Sequence, residues 1–99
     1  MEKRLGIIAV IVSDRSSVSR LNALLGERAE LIIARLGLPM RSSGISLISL
    51  VVEGDTDKLG ALAGRIGRLP GIQVTSVLTK FKEAGDGAQE LGGDARDLH

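Results

Sequence analysis

The sequence has no cysteine, tryptophan or tyrosine, and a single phenylalanine, Phe81. Its one histidine, His99, is the last residue. Without cysteine there is no disulfide, no thiolate metal site, no cysteine-ligated iron–sulfur cluster and no thiol nucleophile. With a single aromatic side chain, platforms on which bases or sugars stack are essentially absent. A terminal imidazole is a poor base, because chain ends fray. The apolar run Ile7–Val12 falls far short of the ~20 residues a membrane helix needs. It also lacks the cleavage pattern of a signal peptide. These absences describe a cytoplasmic chain that binds no membrane and whose core and contact surfaces must be built from Leu, Ile, Val, Ala and Gly.

Ninety-nine residues, 43% of them hydrophobic, suffice for one small domain. The formal charge of +1 conceals an asymmetry. Residues 1–82 carry 12 Lys/Arg and 7 Asp/Glu, whereas residues 83–99 carry one Arg and 5 acids. The positive residues of the first part are scattered, as on a solvated surface, and form no stripe that would point to nucleic acid.

Along the chain, "RLGIIAVIVS" reads as a strand rich in β-branched residues, followed by the turn "DRSS", in which Ser16 or Ser17 can cap a helix. Val18, Leu21, Leu25, Ala29 and Ile32 recur at helical spacing, predicting a helix over about 17–30. "LIIARLGLPM" predicts a second strand over 32–40, its Pro39 suited to an edge or a strand end. "RSSG" turns the chain into a third strand, Ile45–Glu53. Asp55 can cap a second helix, Thr56–Arg68, which "LPG" ends before a fourth strand, Ile72–Thr79. The order β-α-β-β-α-β predicts an α+β, ferredoxin-like fold: one antiparallel four-stranded sheet with two helices on one face.

Such a sheet should alternate apolar and polar residues if its other face met water. It does not. The first strand sets Leu5, Ile7, Ala9 and Ile11 against Gly6, Ile8, Val10 and Val12; the third sets Ile45, Leu47 and Val51 against Ile48, Leu50 and Val52. Both faces read as buried, which predicts a homodimer or homotetramer closed over the open face. Residues 1–82 form the expected domain, and 83–99, acidic and glycine-rich, read as a disordered tail.

The second helix raises a separate question. At about 100° per residue, Gly60, Gly64 and Gly67 of "GALAGRIGRLPG" share one face. Interior helical glycine costs about 1 kcal/mol relative to alanine. Close packing against a neighbouring backbone, within or between subunits, would offset that cost. A phosphate cradle is the competing reading, but the glycines lie inside the helix, not ahead of its free amides, and no G-x-x-x-x-G-K-[ST] or G-x-G-x-x-G is present.

"DR-S-V-x-x-L-N-x-L-L", "R-L-G-L-P-M-R", "G-I-S-L-I-S-L-V-V" and "G-A-L-A-G-R-I-G-R-L-P-G-I" together resemble the iron-only hydrogenase system regulators, over about residues 3–80. The resemblance implies a small ferredoxin-like regulator named from the genomic company it keeps. More distantly, the chain is similar to the C-terminal domain of the nickel-responsive repressor and to ACT-type ligand-sensing domains, which assemble into dimers and tetramers. That repressor holds nickel with three histidines and a cysteine. Ungapped matching puts Gly26, Gly37, Pro39 and Ile45 at those places, so the resemblance implies no nickel site. The first strand is expected to begin almost at Met1, so no counterpart of the repressor's DNA-binding domain is expected.

No converging set of ionisable groups reads as catalytic, and no cofactor is implied. Asp14 and Arg15 follow the first strand, where the ACT resemblance implies ligands; Arg15 can fork to a carboxylate, or Asp14 can simply turn the chain. Arg35 and Arg41 flank "LGLPM" and can line an anion site at a subunit seam or stand as surface arginines. Asp55 and Asp57 are too few to hold a metal. The expected function is regulation, by binding a small effector or a protein partner and shifting an assembly equilibrium. A scaffold whose oligomeric surface is its function is the alternative.

Overall fold

The computed structural model describes residues 3–82. Strand β1 (Arg4–Val12) leads into a single 3₁₀ turn, Arg15–Ser17, and helix α1 (Val18–Glu27). A second 3₁₀ turn, Ala29–Leu31, passes into β2 (Ile32–Met40). Then follow β3 (Ile45–Gly54), α2 (Thr56–Gly67) and β4 (Ile72–Lys82). The sheet order is β2-β3-β1-β4, antiparallel throughout, so the expected α+β, ferredoxin-like architecture is the one observed. The tail expected over 83–99 lies outside the described residues.

Register decides which residues meet. Ile8 pairs with Leu50 on one side and Ser76 on the other; Val10 pairs with Ile48 and Val74. Because side chains alternate along a strand, Ile8, Val10, Val12, Ile48, Leu50 and Val52 all point to the helices. They are buried there with Leu21, Leu24 and Leu25 of α1 and Leu59, Leu62 and Ile66 of α2. Each fully buried aliphatic side chain of this set contributes about 1.5–3 kcal/mol relative to exposure.

The start of α1 differs from expectation. The side chain of Asp14, not of Ser16 or Ser17, receives the first hydrogen bond, from the Ser16 amide at 2.9 Å. Ser17 occupies the cap position of α1 without bonding to that helix. Its hydroxyl donates instead to Pro70 O at 2.6 Å and is fully buried. The helix is also shorter than 17–30, ending at Glu27, with Ala29 in the following 3₁₀ turn. By contrast Asp55 caps α2 as expected, accepting from Lys58 N at 2.8 Å.

Strand β2 is an edge, which accommodates Pro39. A register irregularity between Ile32 and Ala34 sets the remainder of the strand. After it, Arg35 opposes Leu50 and so lies on the helix side, while Leu36, Leu38 and Met40 oppose Ser49, Leu47 and Ile45 on the open side. Arg41–Gly44 closes the hairpin, with Gly44 at φ 74° and its amide bonded to Met40 O at 3.0 Å.

Candidate functional site

Of the four candidate ligand residues, the fold brings two together. Arg15 sits in the turn after β1 and Arg41 in the β2–β3 hairpin, and both line a cleft of about 140 Å³ with Pro39, Met40, Gly44, Ile45 and Ser46. The two arginines belong to loops at the same end of the sheet, so one cleft is lined by both, beside the apolar Pro39, Met40 and Ile45.

Asp14 is engaged locally. One carboxylate oxygen accepts from both the Ser16 amide and the Ser16 hydroxyl, at 2.9 and 2.7 Å. The hydroxyl bond first and the amide bond second hold its pKa below the ordinary aspartate value of 3.8. Arg35 lies elsewhere: from the helix side of β2 it donates to Asn22 Oδ1 of α1 at 3.1 Å.

A serine clasp behind Arg15 was not foreseen from the sequence. Ser13 N and Ser13 Oγ both donate to Gly71 O, at 2.8 and 2.9 Å, and Ser17 Oγ donates to Pro70 O. Gly71 has φ 67°, and a Cβ there would lie 2.4 Å from Asp14 Cβ. The signal was present in "LPG", because a glycine after a helix-ending proline marks a left-handed backbone. Only its partner loop was hidden, since serine pairs across more than fifty residues leave no local pattern.

The three glycines of α2 part company. A Cβ on Gly67 would meet Val74 Cγ1 at 3.0 Å, a tight approach within the chain. At Gly60 and Gly64 a Cβ would meet no atom of the described residues within 4 Å beyond its own helix. A groove of about 360 Å³ runs between α1 and α2, lined by Arg20, Ala23, Leu24, Glu27, Arg65, Arg68 and Leu69. Arg65 pairs there with Glu27 at 3.3 Å.

Among the described residues the open sheet face carries most of the exposed large apolar side chains. Ile7, Leu36, Leu38, Met40, Val51 and Val77 lie exposed on it, Leu36 and Val77 about 60% so. Among the described residues no three His, Cys, Asp or Glu side chains cluster closely enough to hold a metal. No described helix is long and apolar enough to cross a membrane.

A family model described as "TM1266-like: Iron-only hydrogenase system regulator, putative" matches residues 4–76. The chain belongs to that family. The Thermotoga maritima protein TM1266 is 39% identical to this TM1266-like chain, and its solved structure superposes with a TM-score of 0.75 over 80% of this chain and 100% of its own. The C-terminal domain of the MgtC protein from Mycobacterium tuberculosis, 16% identical, superposes at 0.59 over 82% and 93%. A formyltetrahydrofolate deformylase from Pseudomonas putida, 14% identical, superposes at 0.57 over 78% of this chain and 29% of its own. At such identities these two share the fold with the TM1266-like chain and nothing more. Among proteins of curated function none matches.

Proposed function

We propose that this TM1266-like chain is a non-enzymatic regulatory module of an iron-only hydrogenase system. It acts by self-assembly through the open sheet face and by binding a small anionic effector between Arg15 and Arg41. Residues 1–82 are the working domain. The observation that carries this reading is the apolar open face. Monomers rarely leave a contiguous apolar surface of this kind to water, and one rimmed by polar residues marks a contact site. Burying a substantial part of each exposed side chain on it is worth on the order of 1 kcal/mol apiece. A second copy placed face to face would make a two-sheet sandwich, for which sheets stack about 10 Å apart. The bare Gly60–Gly64 surface of α2 would supply the second contact by which dimers become tetramers.

Sedimentation of the intact chain tests the assembly. A dimer or larger species at micromolar concentration is expected, and Val51→Lys, which puts a charge in the middle of the face, should return it to monomer while its circular dichroism stays unchanged. A 10.4 kDa monomer throughout would sink the reading.

The scaffold reading draws support from the size of the Arg15–Arg41 cleft. It falls below the ~300–1,000 Å³ usual for small-molecule pockets. A thermal-shift screen with carboxylates and phosphates separates the two, since ligands that bind the folded state raise its melting temperature. A shift lost in Arg41→Ala supports the sensor; no shift with any anion supports the scaffold.

A further inference from the structure

The groove between α1 and α2 faces away from the sheet and owes nothing to the open face. Its floor is apolar, from Ala23, Leu24 and Leu69, and its rim carries Arg20, Arg65 and Arg68. Among the described residues Glu27 partners only Arg65. Among the described residues, Arg20 and Arg68 have no acidic group within 4 Å.

Residues 83–99 have a matching pattern in their sequence. The acids Glu83, Asp86, Glu90, Asp94 and Asp97 are spaced three, four, four and three apart. Ala84, Ala88, Leu91, Ala95 and Leu98 are spaced four, three, four and three. At helical periodicity each set falls within a sector of about 80°, and the two sectors lie side by side. This is the amphipathic pattern of a helix with one acidic and one apolar stripe, the form that lies in a groove between helices. Gly85, Gly87, Gly92 and Gly93 disfavour such a helix standing alone, so the pattern has use only against a surface.

Position agrees with charge. Lys82 pairs with Arg4, and Arg4 with Gly54, so the chain leaves β4 at the end of the molecule where α2 begins. A helix over 83–99 would run about 25 Å, against about 18 Å for the 12 residues of α2. It would thus reach Arg65, in the last turn of α2, and Arg68, just past its end, with its second half. Extended, the same residues span about 56 Å, so reach is no obstacle. Tethering also raises the effective concentration of the segment at the groove to the millimolar range.

We propose that the α1–α2 groove is a docking site for an acidic amphipathic segment, and that residues 83–99 of this same chain occupy it. Carboxylates meet Arg20, Arg65 and Arg68; Leu91 and Leu98 cover Leu24 and Leu69.

The full-length chain tests this directly. Since it has no cysteine, Gln89→Cys, off both stripes, accepts a spin label at one site. The labelled, isotope-enriched chain is diluted with excess unmodified chain so that only contacts within one molecule register. At low salt the amides of Ala23, Leu24 and Leu69 should broaden several-fold more than those of Ile7 and Val51. Half-molar sodium chloride should remove the effect, because screening shortens the reach of exposed charges. Arg20→Glu with Arg68→Glu should remove it too, while the dispersed spectrum reports an intact fold. Uniform broadening, broadening on the sheet face, or broadening indifferent to the arginines overturns the proposal. So does a groove that answers to added inorganic phosphate while the label leaves it unbroadened.

Discussion

Gly71 carries two requirements at once. Its φ of 67° belongs to the left-handed region, and the space a side chain would need is taken by Asp14. Gly71→Ala should therefore cost about 2 kcal/mol or more in denaturant unfolding, from backbone strain together with displacement of the Asp14 turn. Ser17→Ala leaves Pro70 O without its donor inside the protein and should cost about 1–2 kcal/mol. Asp14 adds a pH signature. Its folded pKa lies below the ordinary value of 3.8, so the folded state favours the carboxylate. The resulting stabilisation is complete above the unfolded pKa and is lost as pH falls through the lower, folded one. Below about pH 4 the stability of the natural chain should fall more steeply than that of Asp14→Asn, a difference readable from urea midpoints across the acid range. At this scale the sequence was partly legible: "DRSS" and "LPG" each announced a turn, but the hydrogen bonds that join them depend on tertiary placement.

At the scale of elements, periodicity carried most of the information. The β-branched runs and the Leu59–Leu62–Ile66 stripe located strands and helix within a few residues, because burial selects the same spacing that geometry imposes. α1 was harder to bound. Val18 and Ala29 continue the helical spacing yet are exposed, and the chain tightens into 3₁₀ turns at both ends, where i→i+3 bonds replace the longer ones. The glycines of α2 were legible as a face but not as a contact, since what lies opposite a bare backbone is not written in the helix itself. Among the described residues, only Gly67 of the three has a neighbour across from it. Gly60→Ala and Gly64→Ala should each stabilise the unassembled domain by up to about 1 kcal/mol, while Gly67→Ala should gain little because Val74 must give way. Thermal melts of the three variants, at concentrations low enough to keep the domain unassembled, check the ordering.

For the whole molecule, the alternation test on β1 and β3 identified the open face correctly as apolar, and the structure extends it across all four strands through Leu36, Leu38, Met40 and Val77. The candidate site was less legible. Arg15 and Arg41 line one cleft because the turn after β1 and the β2–β3 hairpin lie at one end of the sheet, whereas Arg35 is turned to the helix side by the irregularity in β2. If the face closes on a second copy, the melting temperature of the natural chain should rise with protein concentration by mass action, and that of Ile7→Lys should not. The sheet order has a further meaning for how the chain comes into being. β1 is central, yet its neighbour β4 is the last of the described strands to be made, and Val12 waits for Ile72. At about 5–20 residues per second those sixty residues take roughly 3–12 s of synthesis. Throughout that interval the most apolar of the described strands has at least one edge bare on the ribosome, and both until β3 is made. The first of the four described strands is thus completed only with the fourth, and its protection from stray pairing during synthesis must come from β3 and from the two helices that arrive before β4.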